Sequence, residues 1–198
     1  MDDELNSKIK RQAIPLGLIF GVILTVIGIV SFYLMISTTS IIVISAVPII
    51  LSFIVPLILA IIFSKNLRTK IGGFWNFRQA TSGIFIILIS GFLVQFIVRD
   101  MLFAKIIEPD MIQKMETAMV ASVTPMLENS NAGQETIDKK IEDIQKNFDE
   151  QKNLSIGKQI QAVVITIIFV FVLALILAAF LKKEGHVYDP NLDTDPTA

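Results

Sequence analysis

The sequence predicts an all-α polytopic membrane protein with four transmembrane helices and an extracytoplasmic amphipathic helical hairpin between the third and fourth. Three observations carry that prediction. From Gln12 to Ser64 there is no Asp, Glu, Lys, Arg or His. Two further apolar runs follow, at Thr81 to Val98 and Ala162 to Leu181. Between them lies a polar segment whose apolar residues recur at helical spacing. Hydrophobic residues make up 53% and charged residues 18% of the chain. The second figure is below the roughly 25% of soluble domains because the charges are swept into a few segments.

The uncharged stretch divides at Ser37-Thr38-Thr39-Ser40 into two runs, Ile14 to Ile36 and Ile41 to Phe63. Each exceeds the ~20 apolar residues needed to cross a bilayer as a helix, so they are expected as a transmembrane hairpin, 14-36 and 41-63. The first run is also too long for the ~7–15-residue core of a cleaved signal peptide, although Lys8, Lys10 and Arg11 precede it, and it is counted as a span. An N-terminal flank at 1-13, an elbow at 64-80, a third span at 81-104, an external helical hairpin at 105-157, a fourth span at 158-181 and a polar tail at 182-198 complete the expected layout.

Basic residues set the expected orientation. Lys8, Lys10 and Arg11, then Lys65, Arg68, Lys70 and Arg78, then Lys182 and Lys183 all fall on one side of a four-span arrangement. The other side receives the uncharged turn and the segment 105-157, with six lysines against ten acids. Both termini are therefore expected in the cytoplasm, and in a bacterium the protein would lie in the inner membrane. In the external segment, Met111, Met115 and Met119 trace one helical stripe, and Ile137, Ile141, Ile144 and Phe148 trace another. Pro109, between Glu108 and Asp110, is expected in the first turn of the first of these helices. Turn formers at 128-133 separate two helices, expected to close on each other or on the membrane surface.

Several short elements in this order resemble a bacterial family known as domain of unknown function 4199. They are Leu16-Gly17-Leu18-Ile19-Phe20-Gly21, Ile71-Gly72-Gly73-Phe74-Trp75-Asn76-Phe77-Arg78-Gln79-Ala80, Ile107-Glu108-Pro109-Asp110-Met111 and the closing apolar span ending in Lys182-Lys183. Where the family pattern often has Asp before the proline, this chain has Glu108. The resemblance runs from about Gly17 to Lys183 and implies four membrane spans. It supplies no catalytic residue.

Candidate features are set against their plain readings. Gly17 and Gly21, extended by Thr25 and Gly28, form a small-residue stripe that lets helix backbones approach, within the bundle or across a homodimer seam. Pro48 and Pro56 should kink the second span, with Ser45 and Ser52 satisfying freed carbonyls, or mark a broken transport helix. Gln95, Arg99 and Asp100 are the polar groups nearest membrane depth, either a pore mouth or interfacial charges, with Asp100 facing away from Arg99. Trp75 and its neighbours suit an interfacial aromatic anchor. The methionine stripe offers soft ligands for Cu(I), but such spacing more often means packing. In the tail, Asp189, Asn191, Asp193 and Asp195 imitate the start of a calcium loop, yet Thr194 stands where glycine is required. His186 has no expected partner there.

No cysteine, paired histidines, H-E-x-x-H or phosphate-binding G-x-x-x-x-G-K is present, so no catalytic role and no cofactor is expected. A net charge of -1 gives no basic field for nucleic acid. The expected partners are the lipid bilayer and either a second copy of the chain or another membrane protein, met through the stripe Ile137, Ile141, Ile144 and Phe148. The alternative function is a small oligomeric channel or transporter subunit.

Overall fold

The structure, a computed structural model, describes residues 2–183, and the tail features at His186 and Asp189 to Asp195 lie outside the described residues. Six helices follow in order: α1 (Asp2–Ile36), α2 (Ile41–Ile71), α3 (Phe77–Ile107), α4 (Met111–Asn129), α5 (Gln134–Lys152) and α6 (Ile156–Leu181). Helices α1, α2, α3 and α6 are each long and apolar enough to cross a membrane. Among the described residues there is no strand, only a single bridge pairing Trp75 with Lys183.

The spans outrun their apolar runs. Charged residues continue α1 and α2 beyond the apolar runs, and Arg68 and Lys70 sit in the last turn of α2, where cations interact favourably with the carbonyl end of the helix dipole. The connection between α2 and α3 is therefore five residues, and helix enters the elbow expected at 64-80 from both sides. Gly72 and Gly73 make its turn at φ values of 122° and 86°, which side chains resist. Helix α3 starts at Phe77 because Asn76 and Gln79 form a reciprocal capping box: the Gln79 N–H donates to Asn76 Oδ1 and the Asn76 N–H to Gln79 Oε1. Pro109 precedes α4 rather than joining its first turn.

The tightest contact is between α1 and α3, and glycines allow it. A Cβ added at Gly17 would lie 2.6 Å from Ser90 Cβ and 2.8 Å from the Ile87 carbonyl oxygen. One at Gly21 would lie 2.6 Å from Val94 Cβ and 2.8 Å from the Gly91 carbonyl oxygen. Gly91 in turn accepts the Phe20 ring, whose Cδ1 is 2.5 Å from where a Cβ would stand. Around this seam Ile9, Ala13, Phe20, Ile84, Ile87 and Ala174 build the buried core. The lipid-facing sides stay apolar, as at Ile19, Ile42, Phe53 and Phe180.

Trp75 is not the exposed interfacial anchor expected. It is 2% exposed, packed beside Gly83, and its indole N–H donates to the Leu181 carbonyl at 2.9 Å. Arg68 donates to the same oxygen at 3.1 Å. A helix ends with unsatisfied carbonyls, and this pair, with the Trp75–Lys183 bridge, caps the end of α6 and fixes it to the α2–α3 turn.

At the opposite end, α4 and α5 form an antiparallel hairpin. Ile137, Ile144 and Phe148 are buried and Ile141 is half-buried; Ile144 and Phe148 join Val123 of α4 in one cluster. The stripe is thus used inside the hairpin and is not left as a surface for a partner. The reason is simple: α5 is otherwise charged, and this is its only apolar face. Met115 and Met119 pack between that cluster and Met35 and Ile44 of α1 and α2, which seats the hairpin on the first two spans.

Gly21→Ala should destabilise the bundle by about 1–3 kcal/mol through overpacking of the α1–α3 seam. Gly157→Ala, near the open start of α6, should be neutral or slightly stabilising, since alanine is the better helix former. Unfolding of both variants in bicelles checks the contrast in sign.

Candidate functional site: a cavity between the spans

Features scattered through the sequence meet around one cavity of about 490 Å³, bounded by α1, α2, α3 and α6. Its polar lining comes from Arg99 and Gln95 of α3, Ser52 of α2 and Thr166 of α6. Gly28 and Pro56 line it as well, which brings the end of the glycine stripe and one of the proline sites to the same place. Deeper in, the walls are apolar, with Phe20, Leu88 and Leu173. The volume falls within the ~300–1,000 Å³ of ligand pockets.

The cavity exists because α6 leans on the bundle at one end only. Ala174, Leu177, Ala178 and Leu181 are buried, whereas Ile160, Val164, Ile165 and Ile168 are exposed. Phe53 and Leu57 on one side and Phe169 on the other line the cavity and are themselves well exposed. It therefore opens sideways between α2 and α6, onto hydrocarbon when these helices span a membrane.

Two stretches of widened, π-type helix border it. One covers Ile50–Ile54, between Pro48 and Pro56, with the Val55 N–H reaching back five residues to the Ile50 carbonyl. Proline removes a donor and crowds the carbonyl four residues earlier, and the wider turn accommodates that without breaking α2. The serines play a different part from the one expected. The Ser45 hydroxyl donates to the Ile41 carbonyl, not to the Ile44 carbonyl that faces Pro48, and Ser52 lies on the cavity wall.

The second widened stretch, Phe96–Ile107, contains Arg99 and Asp100. The Arg99 side chain lies across α1 at Gly28, where an added Cβ would be 3.1 Å from its Cδ. Its Nε stands 3.5 Å from Asp100 Oδ1, so the two charges form a loose pair instead of facing apart. That Nε is shut off from solvent and has no hydrogen-bond acceptor, while the side chain as a whole is 33% exposed. The Arg99 guanidinium thus keeps donor capacity at the mouth of an apolar cavity. Thr25, also on the stripe, is buried and donates to the Gly21 carbonyl at 2.9 Å, which removes its hydroxyl as a free polar group.

A second polar cluster braces the same end. The Tyr33 hydroxyl donates to Glu108 Oε1 at 2.8 Å, and Lys114 donates to Glu108 Oε2. Phe32 and Tyr33 both meet the Phe103 ring edge-on. These contacts tie the end of α1 to the end of α3 and the start of α4. The hydrogen bonds from Lys114 and then Tyr33 hold the Glu108 carboxyl below its usual range. Among the described residues no three His, Asp or Glu side chains converge as a metal set.

The sequence profile of the family described as "Protein of unknown function (DUF4199)" matches residues 16–183, and the chain belongs to that family. No curated protein and no solved structure matches it.

Because the Glu108 pKa is depressed on folding, its bonds stabilise the folded state above the unfolded carboxyl pKa, about 4.3, and that contribution is lost as pH falls through the folded value. The protection factor against amide exchange at the start of α4, taken relative to the intrinsic exchange rate at each pH, should therefore fall as the pH drops below about 4. Glu108→Gln should raise exchange at neutral pH and remove this acid-dependent component.

Proposed function

We propose that this member of the DUF4199 family is a non-catalytic integral membrane protein that binds a ligand from within the bilayer, in the cavity between α2 and α6. The single observation that supports the reading most is the convergence of Arg99, Gln95, Ser52 and the Pro56 turn on one sideways-opening cavity. A cation set at the head of an apolar cavity, where a span approaches its end, is a functional candidate because it can meet an anionic group while the walls take an apolar one. Glycine at position 28 makes room for this one.

The orientation we propose places both termini and the Trp75 turn in the cytoplasm, with the hairpin outside, supported by the basic flanks at Lys8, Lys10, Arg11, Lys65, Arg68 and Lys70. In a bacterium this is the inner membrane. The hairpin then acts as a cap seated on α1 and α2. Its charged outer face, with Glu142, Asp143 and Lys146, is the surface open to a protein partner or second copy.

A channel is the weaker reading because the half of the bundle beyond the cavity is filled. Ile84, Ile87 and Ala174 are fully buried there, and Leu88 closes the cavity floor.

The chain has no cysteine, so single-cysteine variants report cleanly. Ser130→Cys should react with a membrane-impermeant maleimide added outside, and Thr69→Cys should not; the reverse pattern would invert the orientation. Ser52→Cys should resist that reagent from both sides and react with a lipid-soluble one. Rapid labelling of Ser52→Cys by the impermeant reagent would mean a water-filled path and favour the channel.

A further inference from the structure

Depth along the bilayer narrows what the cavity accepts. Arg99 lies 22 residues beyond Phe77, about 33 Å along the α3 axis at 1.5 Å per residue. The hydrocarbon core is ~30 Å thick, so with Phe77 at one membrane face the guanidinium reaches the headgroup level of the other. From Arg99 to Leu88 at the cavity floor is about 16 Å on the same count, close to the ~15 Å of one leaflet's hydrocarbon. The cavity is therefore one acyl chain deep, apolar along its walls, open sideways, and headed by an arginine.

The geometry points to a specific occupant: one acyl chain of an anionic phospholipid from the leaflet on the hairpin's side, with its phosphate at Arg99. This rests on the reading of the cavity as a binding site and names its ligand. A guanidinium presents five donors in a planar fork that matches phosphate oxygens. At Arg99 the Nε is shut off from solvent and stands 3.5 Å from the Asp100 carboxylate, so the terminal amino groups of the part-exposed guanidinium are the donors that meet a phosphate. Gln95, one turn deeper, offers an amide to the glycerol ester region. An acyl chain is the ligand that enters between α2 and α6 without leaving hydrocarbon, and Phe53 and Phe169 flank its path. Asp100 opposes the anion and keeps the site from being purely cationic.

The test uses the full-length protein reconstituted in nanodiscs of equal phosphatidylglycerol and phosphatidylcholine, then released into mild detergent and weighed by native mass spectrometry. One phosphatidylglycerol should remain per chain, favoured over phosphatidylcholine by about tenfold, because both lipids carry the phosphate but the quaternary ammonium of choline repels the Arg99 cation and glycerol does not. Arg99→Gln should abolish the preference and Arg99→Lys should keep part of it. Ser52→Phe, which fills the cavity and leaves Arg99 intact, should remove retained lipid of both kinds. Unchanged emission from Trp75, the only tryptophan and remote from the cavity, verifies folding of each variant. If Arg99→Gln fails to fold, Asp100→Asn replaces it and should raise phosphatidylglycerol retention; unchanged or lower retention counts against the proposal. Equal retention of both lipids, lost in Ser52→Phe, overturns the anionic-lipid assignment while leaving the cavity a binding site. Retention indifferent to Ser52→Phe overturns both.

Discussion

The backbones of α1 and α3 run in contact through Gly17, Gly21 and Gly91, and the other elements take their places around that contact. In lipid there is no hydrophobic drive between apolar helices, because tails solvate leucine as well as another helix does. Association then depends on close van der Waals fit, which small residues make available along a stripe. Here the stripe meets α3 of the same chain, filling the role that a homodimer seam would otherwise take. Helix α2 packs more lightly on this pair, and α6 is fastened at one end only, by the burial of Ala174, Leu177, Ala178 and Leu181 and by the bonds from Trp75 and Arg68.

That uneven packing produces the site. Were α6 as tightly held along its length as at Leu181, no cavity would remain between it and α2. Instead its far half stays exposed, and the widened helix at Ile50–Ile54 forms the opposite wall. The last glycine of the stripe, Gly28, lets Arg99 lie flat against α1 at the cavity mouth. One device, small residues on α1, thus serves stability at Gly17 and Gly21 and charge placement at Gly28. The hairpin contributes from above, since Met115 and Met119 pack on Met35 and Ile44, and the Tyr33–Glu108–Lys114 cluster holds the ends of α1 and α3 together.

The four spans and the helical hairpin were legible because each follows from a single run or a single period: uncharged length for the spans, i, i+4, i+7 spacing for α4 and α5. Arg99 and Gln95 were legible as outliers in an apolar helix. What was not legible depends on contacts between distant segments. Trp75 looks interfacial by composition, and only the meeting of residue 75 with the end of a helix at residue 181 makes it a buried cap. The stripe from Ile137 to Phe148 looks available for a partner until α4 is seen to cover it. Widened helix leaves little trace in sequence, although two prolines eight residues apart on α2 were a usable hint; the stretch containing Arg99 has no such marker. The cavity itself joins Gly28, Ser52, Gln95 and Thr166, four residues on four helices that no local pattern connects.

The central claim is that the glycine stripe of α1 packs on α3 within one chain and thereby builds the site. Cross-linking of a Phe32→Cys, Phe103→Cys pair in native membranes with a short bifunctional thiol reagent tests it most directly, since the parent chain has no cysteine, the stripe keeps its glycines, and these two rings of α1 and α3 meet at 5.9 Å. The account predicts a cross-linked monomer, formed only when both cysteines are present. A cross-linked dimer, or dimers from Phe32→Cys alone, would contradict it and return the stripe to an interface between copies.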